Sequence, residues 1–141
     1  MHCFNCKSSK IERRRVDTKQ TVGEHVVLCS LPSDVCLECG ESTFEGEDMA
    51  RVELQSAIVV LHDAATVSGK VFKAVRHILG LKQTELAAIL GYSDESISKF
   101  ETNAETAPKI YRTALLGLCL DRANGNEIGK PLGDKGFRLA S

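Results

Sequence analysis

The chain has 141 residues, 43% hydrophobic and 26% charged, with a formal net charge of −1, which fits one ordinary domain or two small ones. No run approaches the roughly 20 apolar residues of a membrane span. Cys3 and Asn5 stand where an export signal would carry a basic start and an apolar core, so membrane and secreted classes are set aside and a cytoplasmic, reducing address is expected.

The charge is divided. Residues 1–69 carry a net −4 and residues 70–141 a net +3, which suggests two units with different partners. Residues 1–40 hold Ile11, Val16, Val22 and the run "HVVLCSL", split by Gly23. Such β-branched stretches predict a small antiparallel sheet. "ESTFEGED" reads as an acidic turn, and from about Asp48 to His62 an amphipathic helix is expected from Met49, Val52, Ala57, Ile58 and Leu61. "DAATVSG" follows as a linker.

From Lys70 the pattern becomes helical in short pieces: "KVFKAVRHIL" closed by Gly80, "QTELAAIL" closed by Gly91, "DESISKFE", and "APKIYRTALLGLCLDRA" entered through Pro108. The tail has four glycines and a proline and reads as loose, with Phe137 and Leu139 able to dock. The expected fold class is α+β in two domains. A zinc-bound sheet with a C-terminal helix spans 1–62, a linker 63–69, an all-α DNA-binding and dimerisation unit 70–123, and a tail 124–141.

Two CxxC pairs, Cys3 with Cys6 and Cys36 with Cys39, supply the four soft ligands that one structural, tetrahedral zinc ion favours. The 29 residues between Cys6 and Cys36 exceed the usual ribbon spacing of about 15–20, so a longer hairpin or three-stranded sheet must fill the gap. Gly40 suits a tight cysteine knuckle. Two disulfides conflict with a reducing compartment, and a redox CxxC wants a strand-to-helix start. Cys29 reads as a buried small hydrophobe, with a spare ligand or redox sensor as the competing reading; Cys119 reads as core. His2 lies beside a ligand and could compete for zinc, but four thiolates already close the shell; His25, His62 and His77 form no metal-ligand spacing with one another.

"QTELAAILGYSDESISKFET" meets the demands of a helix-turn-helix. Ala87 is small at the crossing, Gly91 serves the turn, and Leu86, Leu90, Ile97 and Phe100 face inward. Ser93 reads as the cap of the second helix. Lys70, Lys73, Lys82, Lys99, Lys109 and Arg112 are available for phosphates, and "YRTALLGLCL" offers either a dimer face or plain core. "ERRR" at 12–15 could meet RNA or an acidic partner, or form a solvated strand face.

"RHILGLKQTELAAILGYSDESISKFE" resembles the Cro/repressor-type helix-turn-helix. That resemblance implies a buried or half-buried ion pair between Arg76 and Glu101 and a phosphate contact from Gln83. The whole order of CxxC, CxxC, apolar helix and "ATVSGKVFKAVRHILGLKQTELAAILG" resembles the MqsA (YgiT-type) antitoxin family over roughly residues 1–120. It implies a zinc domain, with Cys3, Cys6, Cys36 and Cys39 as ligands, that neutralises a ribonuclease toxin. It also implies a homodimer that represses its own operon on double-stranded operator DNA.

The implied DNA-binding residues are Lys82, Gln83, Ser93, Glu95, Ser96 and Lys99. Glu95 and Lys99 fall on the family's base-reading positions. Lys99 suits guanine or phosphate; Glu95 replaces an amide, and can accept from a cytosine amino group but is repelled by phosphates. Glu38, Glu41, Glu45, Glu47 and Asp48 form an acidic stretch for a basic toxin face. No catalytic constellation is visible, so no enzyme is expected. The alternatives are a phage- or host-type repressor whose zinc domain senses a ligand or redox state through Cys29, and a zinc-dependent nuclease or oxidoreductase.

Overall fold

The computed structural model describes residues 2–43, 46–125 and 137–140. Among the described residues it is α+β, with an antiparallel sheet and five helices. Strands β1 (Ile11–Val22) and β2 (His25–Cys36) form a twelve-residue hairpin in full register, from Ile11 opposite Cys36 to Val22 opposite His25. Only Gly23 and Glu24 connect them. Gly23 takes a φ of +60°, and a Cβ there would lie 2.7 Å from the backbone nitrogen of Val71. Both the turn and the close approach of the next unit therefore call for glycine.

β2 carries two short partners on its other side. β3 (Ser42–Thr43) pairs with Asp34 and Val35, and β4 (Phe137–Leu139) pairs with Val27–Cys29. β3 lies where an acidic turn was expected from the sequence. β4 brings the end of the tail back onto the sheet; tail residues 126–136 and Ser141 lie outside the described residues.

Pairing places Val16, Thr18, Gln20 and Val22 on the same face as Leu31, Cys29 and Val27. Helix α1 (Gly46–Asp63) packs on the sheet. The sequence suggested a one-sided helix beginning near Asp48. The structure starts it two residues earlier and buries every residue from Leu54 to Leu61. A helix apolar all round is buried all round, and here α2 (Gly69–Ile78), α5 (Lys109–Gly125) and the sheet all touch α1. The apolar core is continuous: Val22, Val27 and Leu31 of the sheet join Ile58 and Val60 of α1 and then Val75, Leu115 and Cys119.

The segment after α1 is pinned at several points. Arg112 donates from Nε to the Leu61 carbonyl at 2.7 Å and from Nη2 to the Ala64 carbonyl at 2.5 Å, which satisfies carbonyls at the end of α1. Nε2 of His25 is 2.9 Å from the Thr66 carbonyl, and the Glu24 carboxylate accepts from the hydroxyl and N–H of Ser68. The hairpin tip is thus fastened to the start of α2.

Between α2 and α5 lie α3 (Gln83–Leu90) and α4 (Asp94–Thr102). Gly80 and Gly91 take positive φ at the ends of α2 and α3, where left-handed residues close helices. Phe72, Tyr92, Phe100 and Tyr111 form an edge-packed aromatic cluster with neighbouring ring centroids 4.9–5.7 Å apart. No helix among the described residues is long and apolar enough to cross a membrane.

Candidate metal centre and nucleic-acid interface

The four paired cysteines converge at the far end of the hairpin from Gly23. Cys3 and Cys6 sit on a tight turn in which the Cys3 amide donates to the Ser8 carbonyl at 2.8 Å and the Lys7 amide returns to the Cys3 carbonyl. Cys36 and Cys39 form the matching turn after β2, where the Gly40 amide donates to the Cys36 carbonyl at 2.9 Å and Gly40 takes a φ of +77°. The Leu37 amide donates to the Lys10 carbonyl and so ties one turn to the other.

All four sulfurs lie within 4.8 Å of one another, with Cys3–Cys39 at 3.6 Å and Cys6–Cys36 at 3.4 Å. A tetrahedral ion with metal–sulfur bonds of about 2.3 Å needs sulfur–sulfur edges of about 3.8 Å. The arrangement fits that cage. It is not a pair of disulfides, because the Cys3–Cys39 and Cys6–Cys36 sulfurs, 3.6 and 3.4 Å apart, lie well beyond the S–S bond length of about 2.05 Å.

The backbone amides of Cys39 and then Glu38 hold the Cys36 thiol below its ordinary value, which favours the thiolate that a metal binds. At Cys6 the Ser8 amide acts in the same direction, but the sulfurs of Cys36, Cys39 and Cys3 together with burial push the thiol up to about 12. Without an ion, four crowded sulfurs cannot all be charged; a cation removes that conflict.

Cys29 is not in this cluster. It is 2% exposed on the inner face of β2, within reach of the Val27 carbonyl and the Ser56 hydroxyl, so a redox probe in solution does not reach it. Cys119 is fully buried in α5, and burial pushes its thiol up to about 12. His25 and His62 are engaged with Thr66 and Asp63.

The second constellation is helical. Leu86 and Ile97 are fully buried, Ala87 and Phe100 nearly so, and Leu90 is half-buried where α3 crosses α4. The Ser93 hydroxyl accepts from the Ser96 amide at 3.1 Å and caps α4. Arg76 grips Glu101 with two parallel bonds, Nε to Oε2 at 2.7 Å and Nη2 to Oε1 at 3.0 Å. This raises the Arg76 pKa, with the Glu101 hydrogen bond as the main cause. Nη1 of the same guanidinium donates to the Leu81 carbonyl, so one side chain ties α2, the α2–α3 turn and α4 together.

Gln83 stands at the first turn of α3, where its amide donates to Glu101 Oε1 at 3.1 Å. Lys82 precedes it, exposed, with its amide bonded to Glu85. Ser93 caps α4, Glu95 and Ser96 lie in its first turn and Lys99 in its last; Ser93 and Glu95 are exposed, Ser96 and Lys99 half-buried. Lys99 is shared between Glu95 at 3.2 Å and Glu105 at 3.5 Å. The Glu95 hydrogen bond, then its charge and that of Glu105, raise the lysine pKa.

The structure separates other cations from this group. Arg112, which the sequence offered to phosphates, is committed to the end of α1. The "ERRR" arginines are spent on the sheet: Arg13 on Asp34, Arg14 on Glu12, and Arg15 on Ser30. Of the acidic stretch, Glu38 pairs with Lys10 at 3.2 Å, and Glu45 lies outside the described residues. "YRTALLGLCL" divides: Tyr111, Leu115 and Cys119 are core, Leu116, Leu118 and Leu120 are half-buried, and the neighbouring Ile110 is 68% exposed. Sequence reasoning missed the helix-end role of Arg112 and the Glu24–Ser68 fastening, because no local pattern marks contacts between residues more than forty positions apart.

No curated protein matches the chain. A family model described as the antitoxin component of bacterial toxin–antitoxin systems, MqsA, matches residues 1–124, so the chain belongs to the MqsA antitoxin family.

Proposed function

We propose that this antitoxin covers a ribonuclease-type toxin with its four-cysteine unit, residues 1–62, and represses its own operon by binding operator DNA as a homodimer through the helical unit, residues 70–123. Family membership carries the antitoxin role. The observation that supports the DNA-binding half is the braced pair α3–α4, in which the buried Arg76–Glu101 contact fixes a helix whose outward residues are Glu95 and Lys99. A helix held in this way enters a major groove as a rigid body.

Lys82, Gln83, Ser93, Ser96 and Lys99 are the groups proposed to meet the duplex. Gln83 reaches a phosphate by exchanging its bond to Glu101 for one to DNA. Two copies are required because one domain makes few phosphate contacts and operators repeat at about 34 Å. Ile110 and the half-buried leucines of α5 are the proposed dimer face.

A zinc ion held by Cys3, Cys6, Cys36 and Cys39 would cross-link the two knuckles and carry no reaction, since four thiolates leave no open position for water. The chain's own residues then present the toxin with Phe4 and Leu37, the exposed apolar tips of the knuckles.

The test combines two measurements on the full chain. Gel shift with its own promoter region should show a dimer-sized complex, weakened in Lys99→Ala. Co-expression with the neighbouring reading frame should relieve that frame's toxicity. A protein that neither retards its promoter nor relieves a neighbouring toxin overturns the reading.

A further inference from the structure

Helix α1 packs on the sheet face that carries Val27, Cys29 and Leu31. The opposite face alternates with it and holds Asp17 and Lys19 of β1, Leu28 and Ser30 of β2, and Arg138 of β4. The register sets Lys19 opposite Leu28 on one side and Arg138 opposite Leu28 on the other, so two exposed cations flank one half-buried leucine. Asp17 and Ser30 form the next row of the same face. These five residues, with Thr18 and Cys29 between them, line a single cavity of about 290 Å³.

The charges set this cavity apart from the rest of the sheet. Arg13, Arg14 and Arg15 of the hairpin are engaged with Asp34, Glu12 and Ser30. The side chains of Lys19, Arg138 and Asp17 have no hydrogen-bond or ion-pair partner among the described residues. Arg138 also lies beyond residue 124, where the family match ends, so one of the two cations comes from outside the region that the family shares.

We propose that this cavity binds a small phosphorylated sugar, free or as the ribose phosphate of a mononucleotide, with the phosphate between Lys19 and Arg138 and the sugar hydroxyls on Asp17 and Ser30. The site uses none of the residues proposed above to meet toxin or DNA. A phosphate monoester carries close to two negative charges at pH 7, which matches two cations, and arginine grips such a group with two parallel N–H bonds. Strands are spaced about 4.8 Å apart, so Lys19 and Arg138 start about 10 Å from each other across Leu28. Two long side chains close that gap around one anion. The row of Asp17 and Ser30 lies about 6.7 Å along the strands, near the separation of phosphate and distal hydroxyls in a sugar phosphate. The Asp17 carboxylate accepts from hydroxyls and repels a second anion. The Ser30 hydroxyl accepts from Arg15 at 3.2 Å and keeps its own hydrogen to donate. Leu28 gives the carbon face of the sugar an apolar floor. A polynucleotide strand fits less well, because Asp17 opposes its next phosphate.

The experiment is titration of the isotope-labelled full chain with ribose 5-phosphate, uridine 5′-monophosphate, inorganic phosphate and ribose, read from backbone amide shifts. Ribose 5-phosphate should shift Lys19, Leu28, Ser30 and Arg138 saturably, inorganic phosphate should bind there about tenfold more weakly for want of hydroxyl contacts, and ribose should not saturate. Tighter binding of uridine 5′-monophosphate identifies a nucleotide as the source, and weaker binding a free sugar phosphate; both uphold the site. Lys19→Ala and Arg138→Ala should each weaken ribose 5-phosphate about tenfold, as loss of a charge-assisted hydrogen bond does. Asp17→Ala should abolish the preference over inorganic phosphate, and Arg13→Ala should change nothing. The replaced side chains are exposed, and matching thermal transitions verify that the fold is kept. Equal affinity for inorganic phosphate and ribose 5-phosphate would reduce the site to a counterion contact and overturn the inference. So would unmoved amides at these four residues, undiminished binding in both Lys19→Ala and Arg138→Ala, or shifts produced by oligouridine alone.

Discussion

Gly69 and Glu101 approach so closely that a Cβ on Gly69 would lie 2.2 Å from the Glu101 carbonyl oxygen. The start of α2 therefore rests on the end of α4, and the Gly69 amide donates to Oδ1 of Asn103 at 2.8 Å in the same place. The same two helices are joined again through Arg76 and Glu101. Helix α4 is located by backbone contact as well as by charge.

Gly69→Ala should consequently destabilise the protein by about 2–3 kcal/mol, toward the upper end of what overpacking costs, because the clashing atoms are backbone and cannot rotate away. Urea unfolding measures it. A variant as stable as wild type would mean that α2 and α4 separate easily.

Breaking the Arg76–Glu101 pair should cost about 3 kcal/mol, since removing one partner strands the other in a nearly dry site. Glu101→Gln should be milder than Arg76→Ala, because the amide still accepts one guanidinium bond. A double-mutant cycle should show that replacing both with apolar residues of similar size costs less than replacing either alone. Strict additivity of the single changes would remove the brace as an explanation.

The local elements were readable in the sequence because their signals are local. Gly80 and Gly91 end helices, Ser93 begins one, and the CxxC pairs mark knuckles by spacing alone. The all-round burial of α1 was partly visible in "LQSAIVVL", which has no polar stripe wide enough for solvent. What covers it was not visible: α5 and the sheet meet α1 from far along the chain. β3 and β4 are two and three residues long, too short to show an alternation. Arg112 looked like a surface cation because charge in a sequence does not reveal which carbonyls need a donor. The residues proposed to meet DNA on α4 rest on the helix-turn-helix pattern, but the sharing of Lys99 between Glu95 and Glu105 depends on the turn after α4.

Removal of the metal should loosen the molecule from one end. The knuckles are at the open end of the hairpin, whereas its tip is held by Ser68, Thr66 and Val71. With chelator, amide hydrogen exchange should accelerate first at residues 3–16 and 31–41, and last around Gly23–Val27. Metal analysis of the reduced protein should give one zinc per chain. Uniform acceleration across the hairpin would show that the tip contacts contribute nothing.

Acid should act on the hairpin tip through Glu24. Its burial pushes the carboxyl up, but the Ser68 hydroxyl, and with it backbone amides, outweigh this and hold it below its ordinary value of 4.5. A carboxylate with a lowered folded pKa contributes stability that is complete above its unfolded value and is lost as pH falls through the folded one. Glu24→Gln should thus be less stable than wild type at pH 7, by under about 1 kcal/mol for so exposed a contact, and the difference should vanish as pH falls below the folded value. A difference that grows as pH falls would reverse the sign and exclude this linkage.

Arg112 separates structural cations from those proposed to face DNA. It supplies two hydrogen bonds to the carbonyls of Leu61 and Ala64, and helix-end carbonyls left without a donor in a half-buried site are costly. Arg112→Ala should lower stability by about 2 kcal/mol, and Arg112→Lys should recover little, since an ammonium lacks the planar fork that spans both acceptors. The salt dependence of DNA binding should stay as it is in wild type. Lys82→Ala, by contrast, should leave stability unchanged and reduce the slope of log K against log salt by about one, as expected when one phosphate contact is lost. Thermal unfolding and salt titrations on the two variants distinguish the roles. A reduced slope in Arg112→Ala at unchanged stability would place the guanidinium on DNA instead of at the end of α1.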